Sequence, residues 1–189
     1  MYWSIDPQTE LRLWIPADAP ILYQLIVENR DYLRPWFSFP DAIQSIPDAA
    51  AYIQRQYERW TQSGEFWAGL WSAGGLAGAA GVYVLDRANS SAELGYWLGV
   101  HATGQGLATR ACRTLLDYLF NEVQVNRTVI QCGTTNHASI AVAERLGFQR
   151  EGILRQAQRV GEGFRDMVVY SLLADEWNRQ RGPSIDPTA

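Results

Sequence analysis

The stretch Leu98-Gly99-Val100-His101-Ala102-Thr103-Gly104-Gln105-Gly106-Leu107-Ala108-Thr109 decides how the chain is read. Before it, Ala92 to Leu98 is an apolar segment with strand character. After it, Ala108, Cys112, Leu115, Leu116, Leu119, Phe120 and Val123 recur at three and four residues, the period of a helix face. Gly104 and Gly106 thus sit where a strand hands over to a helix. A helix start leaves backbone N–H groups unpaired and carries the positive end of the dipole. Without β-carbons at the two glycines, an anion can approach those groups closely, so the stretch reads as a phosphate cradle. A tight turn would use the same glycines, and the rest of the chain has to decide.

Two phosphate-binding patterns fail on the residues. A dinucleotide fingerprint wants a third glycine where Thr109 stands, and a Walker loop wants a lysine, but all 16 basic residues are arginine. The 189 residues suffice for one domain with a full core, and 47% hydrophobic against 19% charged is a globular balance. A net charge of −4 argues against nucleic acid as a partner and is compatible with a cationic acceptor. Cys112 lies on the helix stripe and Cys132 in a strand-like run, so both read as reduced core residues. With two distant histidines and no Cys/His cluster, no metal is expected. The first residues lack a basic-plus-apolar leader, and the expected location is the cytoplasm.

Along the chain, Thr9 to Trp14 reads as a strand ended by Pro16. Asp18 is placed to cap a helix over 19–28, with Ile21, Leu25 and Val27 facing inward. Asn29 to Pro40 reads as an aromatic, proline-rich loop. Pro47-Asp48 opens a second helix with Ala51, Ile53, Tyr57 and Trp60 inward, ending at Gly64. Phe66 to Leu85 holds twenty residues without a charge, the length of a membrane span. Its five glycines and the Ser72-Ala73-Gly74-Gly75 turn signal favour a buried hairpin instead, so no membrane is expected as a partner. Ala92 to Val100 and Thr128 to Cys132 are strands. Asn136 caps a short helix closed by Gly147. Phe148 to Ala157 and Phe164 to Leu173 are two more strands, followed by a helix over 174–181. Residues 1–181 read as a single domain and 182–189 as a fraying tail.

Several stretches together resemble the GNAT acetyltransferases. His101-Ala102-Thr103-Gly104-Gln105-Gly106 is similar to the family's acyl-CoA loop, Gln/Arg-x-x-Gly-x-Gly/Ala, with His101 in the Gln/Arg place. Asn136-His137-Ala138-Ser139 with Glu144-Arg145-Leu146-Gly147-Phe148 resembles its Asn-x-x-Ser/Ala…Leu-Gly-Phe helix. Glu93-Leu94-Gly95-Tyr96-Trp97-Leu98 resembles the Glu-x-Gly-Tyr-Trp-Leu strand of the branch that acetylates the N-termini of ribosomal proteins. Tyr32-Leu33-Arg34-Pro35-Trp36 and Asp166 to Leu173 look like that branch's first-helix exit and last strand. The likeness covers roughly residues 9–181 in matching order. It implies an α/β fold: a mixed, mostly antiparallel central sheet with splayed central strands and flanking helices.

The resemblance also implies roles. Backbone groups of Leu98 and Val100 would pair with the pantetheine arm of acetyl-CoA. Gly104, Gln105, Gly106, Leu107, Ala108 and Thr109 would hold its pyrophosphate, and Asn136 a pantetheine amide. Glu93 begins an otherwise apolar strand and shares a face with Gly95 and Trp97; partial desolvation would raise its pKa toward that of a useful base. Many family members carry a tyrosine acid where this chain has Ala143, whereas Ser139 matches the serine the ribosomal-protein branch uses. Trp36, Phe37, Tyr83 and Trp97 are candidates for the acceptor cleft. The expected activity is transfer of an acetyl group to a primary amine, most naturally the N-terminal α-amine of a protein such as a ribosomal protein. A small-molecule amine and a non-catalytic acyl-CoA-binding regulator are the alternatives. The sequence leaves a homodimer open.

Overall fold

The computed structural model describes residues 1–181; the expected tail at 182–189 lies outside the described residues. Strands β1 (Tyr2–Asp6) and β2 (Thr9–Leu13) come first, then α1 (Ala19–Leu33), α2 (Phe39–Ala42) and α3 (Ile46–Ser63). Strands β3 (Phe66–Ser72), β4 (Gly75–Asp86) and β5 (Ser91–Leu98) follow. The chain continues with α4 (Leu107–Asp117), β6 (Arg127–Gly133), α5 (His137–Arg145), β7 (Gln149–Val160), β8 (Gly163–Leu173) and α6 (Ala174–Arg181). The strands form one sheet in the order β1-β2-β3-β4-β5-β6-β8-β7. Neighbours run antiparallel except β5 and β6, which are parallel. This is the expected mixed sheet with flanking helices.

Each face of the sheet buries its own set of side chains. Ala92 and Leu94 of β5 pack with Leu107, Leu115, Leu116 and Leu119 from α4 and its continuation, with Val142 of α5 and with Trp177 of α6. Trp97 of β5 and Ala79 of β4 face the other way, against Leu22, Ile26 and Leu33 of α1 and Ile53 of α3. Leu107, Leu115, Leu116 and Leu119 are at most 2% exposed. At about 1.5–3 kcal/mol per buried leucine they anchor α4 firmly, which leaves its first turn free to serve a ligand.

The uncharged stretch at 66–85 is the β3–β4 hairpin, and among the described residues no helix is long and apolar enough to cross a membrane. Other expectations need correction. Tyr2–Asp6 is a strand; Trp3 stacks on Phe66 at 5.0 Å and meets Tyr118 at 5.4 Å. Helix α1 runs to Leu33, so Asn29 is helical, and Ile21 and Val27 face solvent while Leu22, Ile26, Asn29 and Leu33 are buried. In α3, Ile53 is buried as expected, but Ala51 and Tyr57 are exposed and Gln56 is buried. The Asp18 carboxylate does not cap α1. It accepts from Arg12 at 2.8 and 2.9 Å and from the Ile15 N–H at 2.9 Å. The bidentate guanidinium takes both carboxylate oxygens, so it prevails over the cap. Gly64 and Gly147 do end their helices in the left-handed region, at φ +81° each.

Candidate active site

The sheet forks at its centre. β5 and β6 pair from Ser91↔Arg127 to Leu94↔Ile130 and no further. Beyond that point β5 stays with β4 as far as Leu98↔Gly78, while β6 stays with β8 as far as Gly133↔Met167. A cavity of about 710 Å³ fills the gap, with Leu94 to Leu98 on one wall and Ile130 to Gly133 on the other. Residue alternation sets what each edge offers. The Gly99 N–H bonds the Ala77 carbonyl of β4 at 2.9 Å, so the backbone groups of Leu98 point into the gap. Val100 differs from expectation. Its N–H donates to the Asn29 side chain at 2.7 Å and its carbonyl accepts from the Thr103 hydroxyl at 2.7 Å.

The cradle lies at one end of the cavity. Gly104 and Gly106 have φ of +76° and +72°, a region that side chains rarely adopt. A β-carbon on Gly104 would meet nothing within 4 Å, and one on Gly106 would meet the Arg110 guanidinium alone, at 3.6 Å. Thr103, Gly104, Gly106, Leu107, Ala108 and Thr109 line the cavity. The Gln105 side chain instead donates to the His101 carbonyl at 2.9 Å, closing the turn. Arg110 is engaged as well: it donates to the Gln105 carbonyl at 3.0 Å and pairs with Asp6 at 3.3 Å. Arg113 reaches the cavity wall, its guanidinium 5.9 Å from the Trp177 ring.

At the fork, the two faces of β5 present different chemistry. Glu93, Gly95 and Trp97 share the face toward α1 and α3, and Leu94 and Tyr96 the opposite one. Glu93 is half-buried and stands just behind the cavity wall. Its carboxylate accepts from the Gln131 amide at 3.1 Å, and Gln131 lines the cavity. Burial raises the Glu93 pKa above its ordinary value, opposed by the Gln131 hydrogen bond. On the other face, Asn136 caps α5 by accepting the Ser139 N–H at 3.1 Å. That cap holds Ser139 on the cavity wall with its Oγ 2.7 Å from the Tyr96 hydroxyl. Cys132 is buried beside them, its thiol pKa raised by burial and lowered again by the Ser139 hydrogen bond. Tyr96 was legible only as part of the strand motif, since its contact with Ser139 spans 43 positions.

At the far end, Tyr32 from the last turn of α1 and Trp36 and Phe37 from the α1–α2 connection form the mouth, with Trp97 beneath, 5.3 Å from the Phe39 ring. Tyr83 lies elsewhere. It is the extra residue of a β-bulge in β4, 48% exposed and outside the cavity wall. Two residues not anticipated from the sequence, Gln158 and Arg165, complete the mouth. Leu154 pairs with Met167 and Gln158 with Arg165, so Arg155, Gln156 and Ala157 bulge opposite Asp166. Gln156 takes φ +50° there, its N–H donating to the Asp166 carboxylate at 2.8 Å. The bulge re-aims the strand. Arg165 donates to the Pro35 carbonyl and lies 5.3 Å from the Trp36 ring.

These residues fit acetyl-CoA. The cradle is open where β-carbons would otherwise stand, the free edge of Leu98 can pair with an extended arm, and the cavity is apolar along β5 with hydroxyl and thiol groups at the fork. Comparison with known proteins agrees. Residues 8–149 match the model of the acetyltransferase (GNAT) domain. A putative ribosomal N-acetyltransferase of Bacillus subtilis, YdaF, is 35% identical over 94% of this chain and 98% of its own. The ribosomal-protein-serine acetyltransferase of Escherichia coli is 29% identical over 91% and 96%. Among solved structures, the microcin C7 self-immunity acetyltransferase MccE, in complex with acetyl-CoA and AMP, has a TM-score of 0.85 at 27% identity, covering 89% of this chain and 94% of that one. The chain belongs to the GNAT acetyltransferase family and is an acetyl-CoA-dependent N-acetyltransferase.

Proposed function

We propose that this enzyme acetylates the N-terminal α-amine of a protein, a ribosomal protein being the leading candidate, with Glu93 as general base and Ser139 as the hydrogen-bond donor at the departing sulfur. The observation that carries the proposal is the forked sheet with a half-buried carboxylate behind one face of β5 and a hydroxyl on the other. The names of the relatives in Bacillus subtilis and Escherichia coli support the acceptor class.

Acetyl-CoA, when bound, supplies the thioester carbonyl that the acceptor amine attacks. The helix start at Gly104 to Thr109 holds the pyrophosphate, the Leu98 backbone pairs with the pantetheine arm, and Asn136 lies beside it. Glu93 takes the ammonium proton through water, handed on by way of the Gln131 side of the wall. An α-amine has a pKa near 8 and a lysine side chain near 10.4, so a carboxylate of raised pKa is matched to the first better than to the second. Ser139 steadies the charge left on sulfur. Because a thiol of pKa near 8.5 leaves fairly well unaided, its loss costs about tenfold, or roughly 1.4 kcal/mol. Trp36, Phe37 and Trp97 wall the acceptor's path.

A second reading, a small-molecule amine, is favoured by the likeness to MccE with its bound AMP. A panel separates the two: short peptides with free or blocked N-termini, a blocked peptide containing lysine, and a set of polyamines and aminonucleosides, each followed by mass spectrometry. Acetylation of the free N-termini alone is expected. Equal rates on blocked lysine peptides, or turnover confined to small amines, contradicts the proposal.

A further inference from the structure

Tyr96 stands at the fork, one turn of strand alternation beyond the last β5–β6 pair. Its hydroxyl oxygen lies 3.2 Å from the Ser139 backbone carbonyl oxygen and 2.7 Å from Ser139 Oγ. The pair has two hydroxyl protons between them, and where these point decides what Ser139 can do. If the phenol proton goes to the carbonyl, the serine proton fills the 2.7 Å contact and is spent inside the protein. If the phenol proton goes to Oγ, the serine proton is left to turn toward the cavity or toward the Cys132 thiol beside it. The 2.7 Å contact is ideal for O–H···O and 3.2 Å is long, so the second arrangement costs little.

We infer that Tyr96 is a positioning residue: by donating to Ser139 Oγ it turns the serine proton outward, toward the thiolate sulfur of CoA. The inference rests on the assignment of Ser139 made above. No proton leaves Tyr96. Burial holds its pKa well above the ordinary value, and the thiols facing it, Cys112 from α4 and Cys132 from β6, would raise it further if they ionised. Both thiols are themselves raised by burial, so the surroundings of Tyr96 keep one charge state through neutral pH. The phenol is therefore a constant donor, and its effect grows only as negative charge gathers on sulfur.

The test measures binding of CoA and of desulfo-CoA, which lacks the thiol, from neutral to alkaline pH. The proteins are wild type, Tyr96→Phe, Ser139→Ala and the double variant. The ratio of the two affinities reports the thiol pKa of bound CoA. In the wild type it should fall below the free value of about 8.5. Tyr96→Phe should move it back toward that value and lower kcat by about three- to tenfold, the effect of one hydrogen bond. The KM for acetyl-CoA and the melting temperature should stay unchanged. The double variant should match Ser139→Ala, because Tyr96 acts only through the Ser139 hydroxyl. A wild-type thiol pKa and kcat in Tyr96→Phe, or losses that multiply in the double variant, overturn the inference while leaving Ser139 in place. A wild-type pKa in Ser139→Ala removes the serine's role and the inference with it.

Discussion

The Asn29 side chain on α1 accepts the backbone N–H of Val100, at the exit of β5, with Oδ1 and N 2.7 Å apart across 71 positions of sequence. Its Nδ2 donates to the Leu25 carbonyl at 2.8 Å, which fixes the orientation of the amide. A β-carbon on Gly99 would sit 3.0 Å from Leu25 and 3.3 Å from Asn29, so helix and strand end are packed together there. One buried side chain thus ties the acceptor-side helix to the turn leading into the phosphate cradle.

Asn29→Ala should leave that part-buried N–H without its protein partner and open a gap at the buried Asn29 position. The expected cost is about 1–3 kcal/mol of stability, together with weaker acetyl-CoA binding because the cradle is no longer held. Denaturant unfolding and ligand titration check both. Unchanged values for both would mean that the contact does not organise the cradle.

Gly106→Val places a β-branched residue at φ +72°, on the open side of the cradle. Bound acetyl-CoA should raise the melting temperature of the wild type by mass action, and the substitution should abolish that rise while the unliganded protein still folds. Stabilisation by NAD or ATP but not by CoA would contradict the phosphate assignment.

Stability in acid should depend on Glu151. Its carboxylate is held by Arg127, with one contact at 2.7 Å, and accepts from Ser171 at 2.8 Å, a set that joins β6, β7 and β8. The Arg127 hydrogen bonds, then that of Ser171, lower its pKa from 4.5 to about 2. A lowered folded-state pKa contributes stability that is present above the unfolded value and lost as pH falls toward the folded one. Glu151→Gln should therefore be less stable than wild type at neutral pH, with the gap closing as pH drops from about 4.5 to about 2. A gap that does not change with pH would assign the effect to packing.

The parts of the molecule written in local sequence were legible. Gly104 and Gly106, the Asn136 cap and the Gly147 stop each act through their own backbone or a residue three positions away. What the sequence hid depends on distant contacts or on ambiguous patterns. In Ile21-Leu22-Tyr23-Gln24-Leu25-Ile26-Val27 the apolar residues wrap most of the helix, so the buried face is chosen by what β4 and β5 present, and Ile21 and Val27 lose. The prolines at 35 and 40 suggested a loop from Asn29, yet they sit past the end of α1 and inside the first turn of α2, where proline is tolerated. Tyr83 follows strand alternation in the sequence, but the bulge between Val82 and Val84 carries it off the register. Gln158 and Arg165 reach the mouth through a bulge built on Gln156, a non-glycine residue in the left-handed region that no turn signal announces. Glu93 and Ser139 were found as candidates one by one, whereas Tyr96 needed the fold to bring it to Ser139.

Glu93 carries the central claim, and its pH–rate profile tests it most directly. Burial raises its pKa above 4.5, and the base works only when deprotonated, so activity should fall as pH drops through a limb that lies above 4.5. The measurement is kcat for acetylation of a free-N-terminal peptide by wild type and Glu93→Gln across that range, with acetyl-CoA saturating. The account predicts a loss of about 10²-fold or more in Glu93→Gln and disappearance of the acidic limb, with acetyl-CoA affinity unchanged. Near-normal turnover with the wild-type profile would contradict it.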